Sequence, residues 1–154
     1  MRWFLVILLV LGLLIVPGCG SATVSLDDYR TAVNGWLTEY KPKVNNAVDG
    51  IEAIENPLTP TDSDLNAAKT LVQVLRDAAN AFDGISPTTD LASAHQTLVQ
   101  SLRGMADGAQ QFYDGLQAKD ASKVIDAFNA IGAASDSGTA AKDTLQQSLG
   151  IQLD

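Results

Sequence analysis

Cysteine and histidine are nearly absent: the 154-residue chain has one of each, Cys19 and His95. A single thiol excludes an intrachain disulfide and any thiolate metal cluster, so the fold must stand on its core alone. Basic residues are also scarce, 10 against 18 acidic, for a net charge of −8. No basic stripe or Arg-rich run offsets that charge. It repels phosphate backbones and anionic head groups, and it excludes nucleic acid as a partner. Prolines number five, aromatic residues make up 6% of the chain, and beyond residue 20 there is no run of β-branched residues. These absences, with abundant alanine, favour helix over strand. No Gly-rich phosphate loop, Ser/His/Asp set or Cys/His pair is present, so the sequence points to no enzymatic activity and to no cofactor.

One long apolar run is present, the 14 residues from Trp3 to Val16. As a helix it spans about 21 Å, short of the roughly 30 Å hydrocarbon core of a bilayer. Arg2 precedes it and Pro17-Gly18-Cys19 follows. A positive start, an apolar middle and a small residue before a cut are the parts of an export signal. The junction Val16-Pro17-Gly18-Cys19 resembles the lipobox of bacterial lipoproteins, with an aliphatic residue three before the cysteine and a small residue directly before it. Pro17 departs from that pattern, standing where a small or β-branched residue is more usual.

The resemblance implies a signal peptide over residues 1–18, cut between Gly18 and Cys19. It also implies a diacylglyceryl group on the Cys19 thiol, with a diacylglyceryl transferase and a lipoprotein signal peptidase as processing partners. Two acyl chains meet the requirement for stable anchoring, here on the extracytoplasmic face of a bacterial cell membrane. Residues 19–24 then form the lipidated cysteine and a short tether, whose five residues before Ser25 reach at most about 17 Å. Loss of Arg2 with the signal leaves 9 basic residues against 18 acidic, a net charge near −9. The alternative is a cut elsewhere that leaves a free thiol.

From Ser25 onward, apolar residues recur at spacings of four and three, the period of helices packed nearly parallel or antiparallel. The first stripe is Leu26, Tyr29, Val33, Leu37, Tyr40, Val44, Ala47, Ile51 and Ile54, with Ser25 and Asp28 as a variant capping box. Pro42 lies inside it, and a kink near Glu39 to Pro42 is expected because the stripe keeps its register across it. Pro57 and Pro60 end that helix. The second stripe, Leu65, Ala68, Val72, Leu75, Ala79 and Phe82, starts from caps at Asp62 or Ser63 and closes on Gly84. The third, capped by Thr88 or Thr89, is Leu91, His95, Leu98, Leu102, Met105, Ala109, Phe112 and Leu116. The fourth is Ala121, Val124, Phe128, Ile131, Leu145 and Leu149. The expected architecture over residues 25–154 is all-α, an antiparallel up-down-up-down four-helix bundle.

The candidates for chemistry are few. His95 sits on the third stripe, where a metal, haem or acid–base role competes with a structural one. A di-iron bundle needs a glutamate three residues before the histidine, and Ala92 stands there. Met105, ten residues along the same helix, lies about 15 Å away along its axis, too far to share a haem with it. His95 is therefore expected to pack at the bundle end, bonded to the 85–90 turn. Asp62-Ser63-Asp64 lacks the oxygens and glycine of a calcium loop and reads as helix capping. The spacing from Gly104 to Gly108 reads as close helix packing.

Between Gly132 and Ala141 no large side chain occurs, so the fourth helix is expected to weaken there and to leave a thin place for a ligand or partner. Trp36, Tyr40 and Tyr113 offer an aromatic patch with the same use. Trp36, Tyr40, Gly132 and Gly138 are the candidate contacts. The chain is similar to small bacterial lipoproteins with a helical-bundle domain of unknown function, a likeness that extends to the Pro87, Leu91, His95, Leu98 turn-and-helix spacing. That likeness implies a lipid-anchored, non-enzymatic binding or interaction module for an envelope protein or small ligand. The rivals are a metal- or haem-dependent redox bundle using His95 and a purely structural envelope spacer.

Overall fold

The computed structural model describes residues 24–153. Four helices account for most of them: α1 Leu26–Glu52, α2 Asp62–Asp83, α3 Ala92–Ala118 and α4 Ala121–Leu149, with a single 3-10 turn, Thr89–Leu91, leading into α3. Each consecutive pair packs side by side, so the chain forms an all-α up-down bundle. No helix among the described residues is long and apolar enough to cross a membrane.

Local chemistry sets the boundaries. The Ser25 side chain accepts from the Asp28 amide at the start of α1. At α2 the cap is Thr61 rather than Asp62 or Ser63: its hydroxyl accepts from the Asp64 amide while the Asp64 carboxylate accepts from the Thr61 amide at 2.8 Å. This reciprocal pair satisfies two backbone donors that the helix itself leaves free. Gly84 closes α2 as expected. Neither Thr88 nor Thr89 supplies a side-chain cap to α3, which is entered through the 3-10 turn instead. Lys119, at φ 54°, turns the chain between α3 and α4, and the Asp120 carboxylate caps α4 by accepting from the Ser122 and Lys123 amides. α1 runs unbroken through Pro42. Thr38 and Pro42 are both exposed, so water reaches the carbonyl that the proline leaves without its helical donor.

The core lies in three layers. At one end Tyr29 and Val33 of α1, Ala79 and Phe82 of α2, Leu91, Leu98, Val99 and Leu102 on and before α3, and Leu145 and Leu149 of α4 pack together. The Arg30 guanidinium donates to the Leu149 carbonyl at 2.7 Å and ties α1 to the end of α4 there. The middle layer is Ala47, Leu71, Val72, Leu75, Ala106 and Ala109, and the far layer is Ala68, Phe112, Leu116, Val124 and Ala127. α4 contributes to both ends but supplies no core residue to the middle layer.

α4 differs from its expected form in two ways. It is one continuous helix of 29 residues across the small-residue stretch, because close packing on α3 supports a segment of low intrinsic helicity. Its buried line also runs through Val124, Ala127, Gly138, Ala141, Leu145 and Leu149 rather than through Ala121 and Phe128. Phe128 is 51% exposed and Ile125 60% exposed, with Phe128 touching the bundle only at its edge, its ring 5.0 Å from that of Phe112. The helix has turned so that its smallest side chains face α3, which lets the two backbones approach.

Candidate functional site

The α3–α4 interface is built on glycine. A Cβ on Gly108 would lie 2.6 Å from Ile131 Cγ1, one on Gly104 2.9 Å from Ala134 Cβ, and one on Gly138 2.7 Å from Ser101 Cβ. The Ser101 hydroxyl, buried at this contact, donates to the Ala134 carbonyl at 2.8 Å. Gly104 and Gly108 thus act in packing inside the bundle, as their spacing suggested.

Close approach to α3 has a cost on the other side. Between Gly132 and Ala141, α4 carries no side chain long enough to reach α1, and the two helices do not pack along their length. The Arg30–Leu149 bond joins them at one end. What remains is an open groove with Leu102 and Met105 of α3 on its floor. One half, about 290 Å³, lies against α4 and is walled by Ser135, Gly138, Thr139 and Lys142. The other, about 180 Å³, lies against α1 and α2 and is walled by Leu37, Tyr40, Lys41, Val44, Leu75 and Ala78. Trp36 and Leu153 border both halves.

The aromatic wall is held from behind. Trp36 Nε1 donates to the Ala78 carbonyl at 2.8 Å, and its ring lies 4.9 Å from Phe82 and 6.1 Å from Tyr40 in a stacked arrangement. A half-buried indole N–H is satisfied by this bond, which fixes the ring orientation that the groove presents. Leu153 arrives from beyond α4: Gly150, at φ 63°, reverses the chain, and Ile151 and Leu153 fold onto the end layer of the core.

Of the residues named from sequence, Trp36, Tyr40 and Gly138 come together on this groove. Gly132 does not: it is exposed, and a Cβ there would meet nothing within 4 Å. Tyr113 borders the middle and far layers and bonds to Gln117, away from the groove. Gly18 and Cys19 lie outside the described residues. Lys41, Met105, Thr139, Lys142 and Leu153 were missed by sequence reasoning. Met105 carried a signal in its place on the third stripe, where Leu98 and Leu102 also face the thin part of α4. Leu153 carried none, since nothing in its neighbours marks the reversal except Gly150.

His95 is not bonded to the 85–90 turn. Its Nδ1 lies 2.9 Å from the Tyr29 hydroxyl, and its ring stacks on Phe82 at 4.5 Å and 18°. The sequence offered the turn as the nearest polar partner, whereas the end layer of the core brings in a phenol 66 residues away. Burial pushes the Tyr29 phenol up to about 12 and pulls the His95 imidazole below its ordinary value, the latter offset in part by Asp83. Both groups are therefore neutral at pH 7, and the pair acts as a buried polar bolt between α1 and α3. Among the described residues no group of three His, Cys, Asp or Glu side chains gathers as a metal site requires.

No family model, curated protein or solved structure matches the chain. The geometry of the groove is accordingly what a functional reading rests on.

Proposed function

We propose that this is a lipid-anchored bacterial envelope protein whose helical domain is a non-enzymatic binding module, with the α1–α4 groove as its binding site. The observation that carries the binding role is the groove itself. An aromatic and aliphatic concavity with a few polar groups at its rim, whose halves of about 290 and 180 Å³ reach the ~300–1,000 Å³ range of small-molecule sites only when taken together, is the form such sites take. It is also where Trp36, Tyr40 and Gly138 converge. The anchor rests on the Val16-Pro17-Gly18-Cys19 lipobox resemblance and on the apolar run before it.

The test is mass spectrometry of small molecules that co-purify with the native protein and with Thr139→Trp, whose indole fills the groove from an exposed position. A co-purifying compound depleted in the variant is the expected result. A profile identical in the two proteins rejects the groove as the site. A stoichiometric metal or a Soret band in protein from its own host, lost in His95→Ala, would favour a redox role instead.

A further inference from the structure

Resting on that reading of the groove, we infer that residues 151–153 form a strap that closes it in the ligand-free protein: Leu153 holds the place of an uncharged aliphatic ligand, and the strap swings out about Gly150 when such a ligand enters.

The place of Leu153 is the first observation. Among the described residues four border both halves of the groove, and three of them are fixed. Leu102 and Met105 stand on α3, and Trp36 stands on α1 with its indole bonded to the Ala78 carbonyl. Leu153 is the fourth, and it belongs to no helix. It is therefore the one shared lining residue that can leave without unfolding a helical turn. With it in place the halves measure about 290 and 180 Å³. Its departure clears the border between them and joins them into one longer trough.

The second observation is how the strap is rooted. α4 ends at Leu149, and Gly150 turns the chain at φ 63°, a conformation that disfavours a Cβ. The Gly150 and Ile151 amides share the Gln146 carbonyl, at 2.9 and 3.3 Å. Beyond that root, Ile151 and Leu153 pack half-buried on the end layer of the core, while Gln152 between them is exposed. Segments that bury few side chains open at a small fraction of the free energy of global unfolding.

The third is chemical. The contacts of a leucine side chain with aliphatic and aromatic neighbours are non-directional, so an alkyl chain in the same place replaces them at little net cost. A strap that is mostly closed reduces the apparent affinity for ligand to the fraction of molecules in which it is open. Loosening the strap then strengthens binding without altering the walls of the site.

The experiment uses the full-length chain in phosphatidylcholine vesicles with a photoreactive, diazirine-bearing dodecanol, which carries no charge. Cross-linked peptides are mapped by mass spectrometry. Leu153→Ser empties the seat. Gly150→Ala removes no lining atom and its methyl meets nothing within 4 Å, but it misdirects the strap at its pivot. The expected result is labelling of peptides containing Trp36 to Asn45 and Ser135 to Lys142 that is competed by unlabelled dodecanol and rises several-fold in both variants. Adding Thr139→Trp, which fills the groove from an exposed position, is expected to reverse the rise. In the unaltered protein, hydrogen exchange of the Ile151 to Leu153 amides is expected to accelerate when dodecanol is added. Competed labelling of the groove that is unchanged or weaker in either folded variant overturns the strap and leaves the groove as a binding site with Leu153 as part of its wall. Absence of competed labelling at the groove in all of the proteins overturns the strap and the groove reading together. Should Leu153→Ser misfold, Gly150→Ala and the hydrogen exchange of the unaltered protein read the same device.

Discussion

At the scale of single residues, the Tyr29–His95 pair is the clearest case of a polar group placed by the fold. Removing the phenol oxygen leaves His95 Nδ1 buried without its partner. Tyr29→Phe is therefore expected to destabilise the protein by about 1–3 kcal/mol in chemical denaturation. The imidazole also links stability to pH. Its folded pKa lies below the ordinary 6.5, so between those two values the unfolded chain binds a proton that the folded one does not. Stability is thus full above pH 6.5 and is lost as pH falls through the folded value. His95→Gln, which keeps an acceptor for Tyr29, is expected to remove that part of the acid dependence in melting curves recorded across mildly acidic pH. The opposite sign holds for Tyr29: its contribution is full below the ordinary phenol value of 10.0 and is lost as pH rises through about 12.

At the scale of the helix, two glycines of α4 make a matched comparison. Gly132 and Gly138 share a helix and nearly a neighbourhood, and sequence treats them alike. A methyl on Gly132 meets nothing within 4 Å, so Gly132→Ala is expected to raise stability by roughly 0.5–1 kcal/mol through helix propensity. A methyl on Gly138 runs into Ser101, whose hydroxyl is bonded to the Ala134 carbonyl, so Gly138→Ala is expected to cost about 1–3 kcal/mol by forcing α3 and α4 apart. Thermal unfolding of the two variants side by side checks both signs. The first three helices were legible from their apolar spacing: Tyr29, Val33, Phe82, Leu98, Leu102, Phe112 and Leu116 are all buried where the four-and-three pattern put them. α4 was less so. Through its middle it offers no large apolar residue to mark a face, and of those before it Ile131 packs at Gly108 whereas Ile125 and Phe128 belong to the exposed side. With small residues the buried face is decided by how near the neighbouring backbone can come, which is a property of the pair of helices.

At the scale of the whole molecule, the bundle is closed at one end and open along one seam. α1 and α4 are joined where Arg30 reaches the Leu149 carbonyl and part where α4 turns its glycines and alanines to α3. The groove is the consequence of that choice of partner. The proposed lipid anchor belongs to this scale too. Cys19→Ala is expected to shift the protein from the membrane to the soluble fraction of its host and to abolish palmitate labelling. Retention in membranes would overturn the lipid anchor without touching the groove.

The sequence by itself determined the helices, the caps at Ser25 and Gly84, the three apolar stripes that build the core and the acidic surface, because each follows from the identity and spacing of near neighbours. It also singled out the aromatic residues of α1 and the thin stretch of α4, though as separate features. Only the tertiary structure decided that they face each other across one groove, that His95 bonds to Tyr29, that Leu153 folds back, and that Lys41 and Lys142 stand on opposite walls. The reason is physical. Periodicity specifies which face of a helix is apolar, but which neighbour that face meets, and how closely, depends on side-chain volumes contributed by residues far apart in the chain.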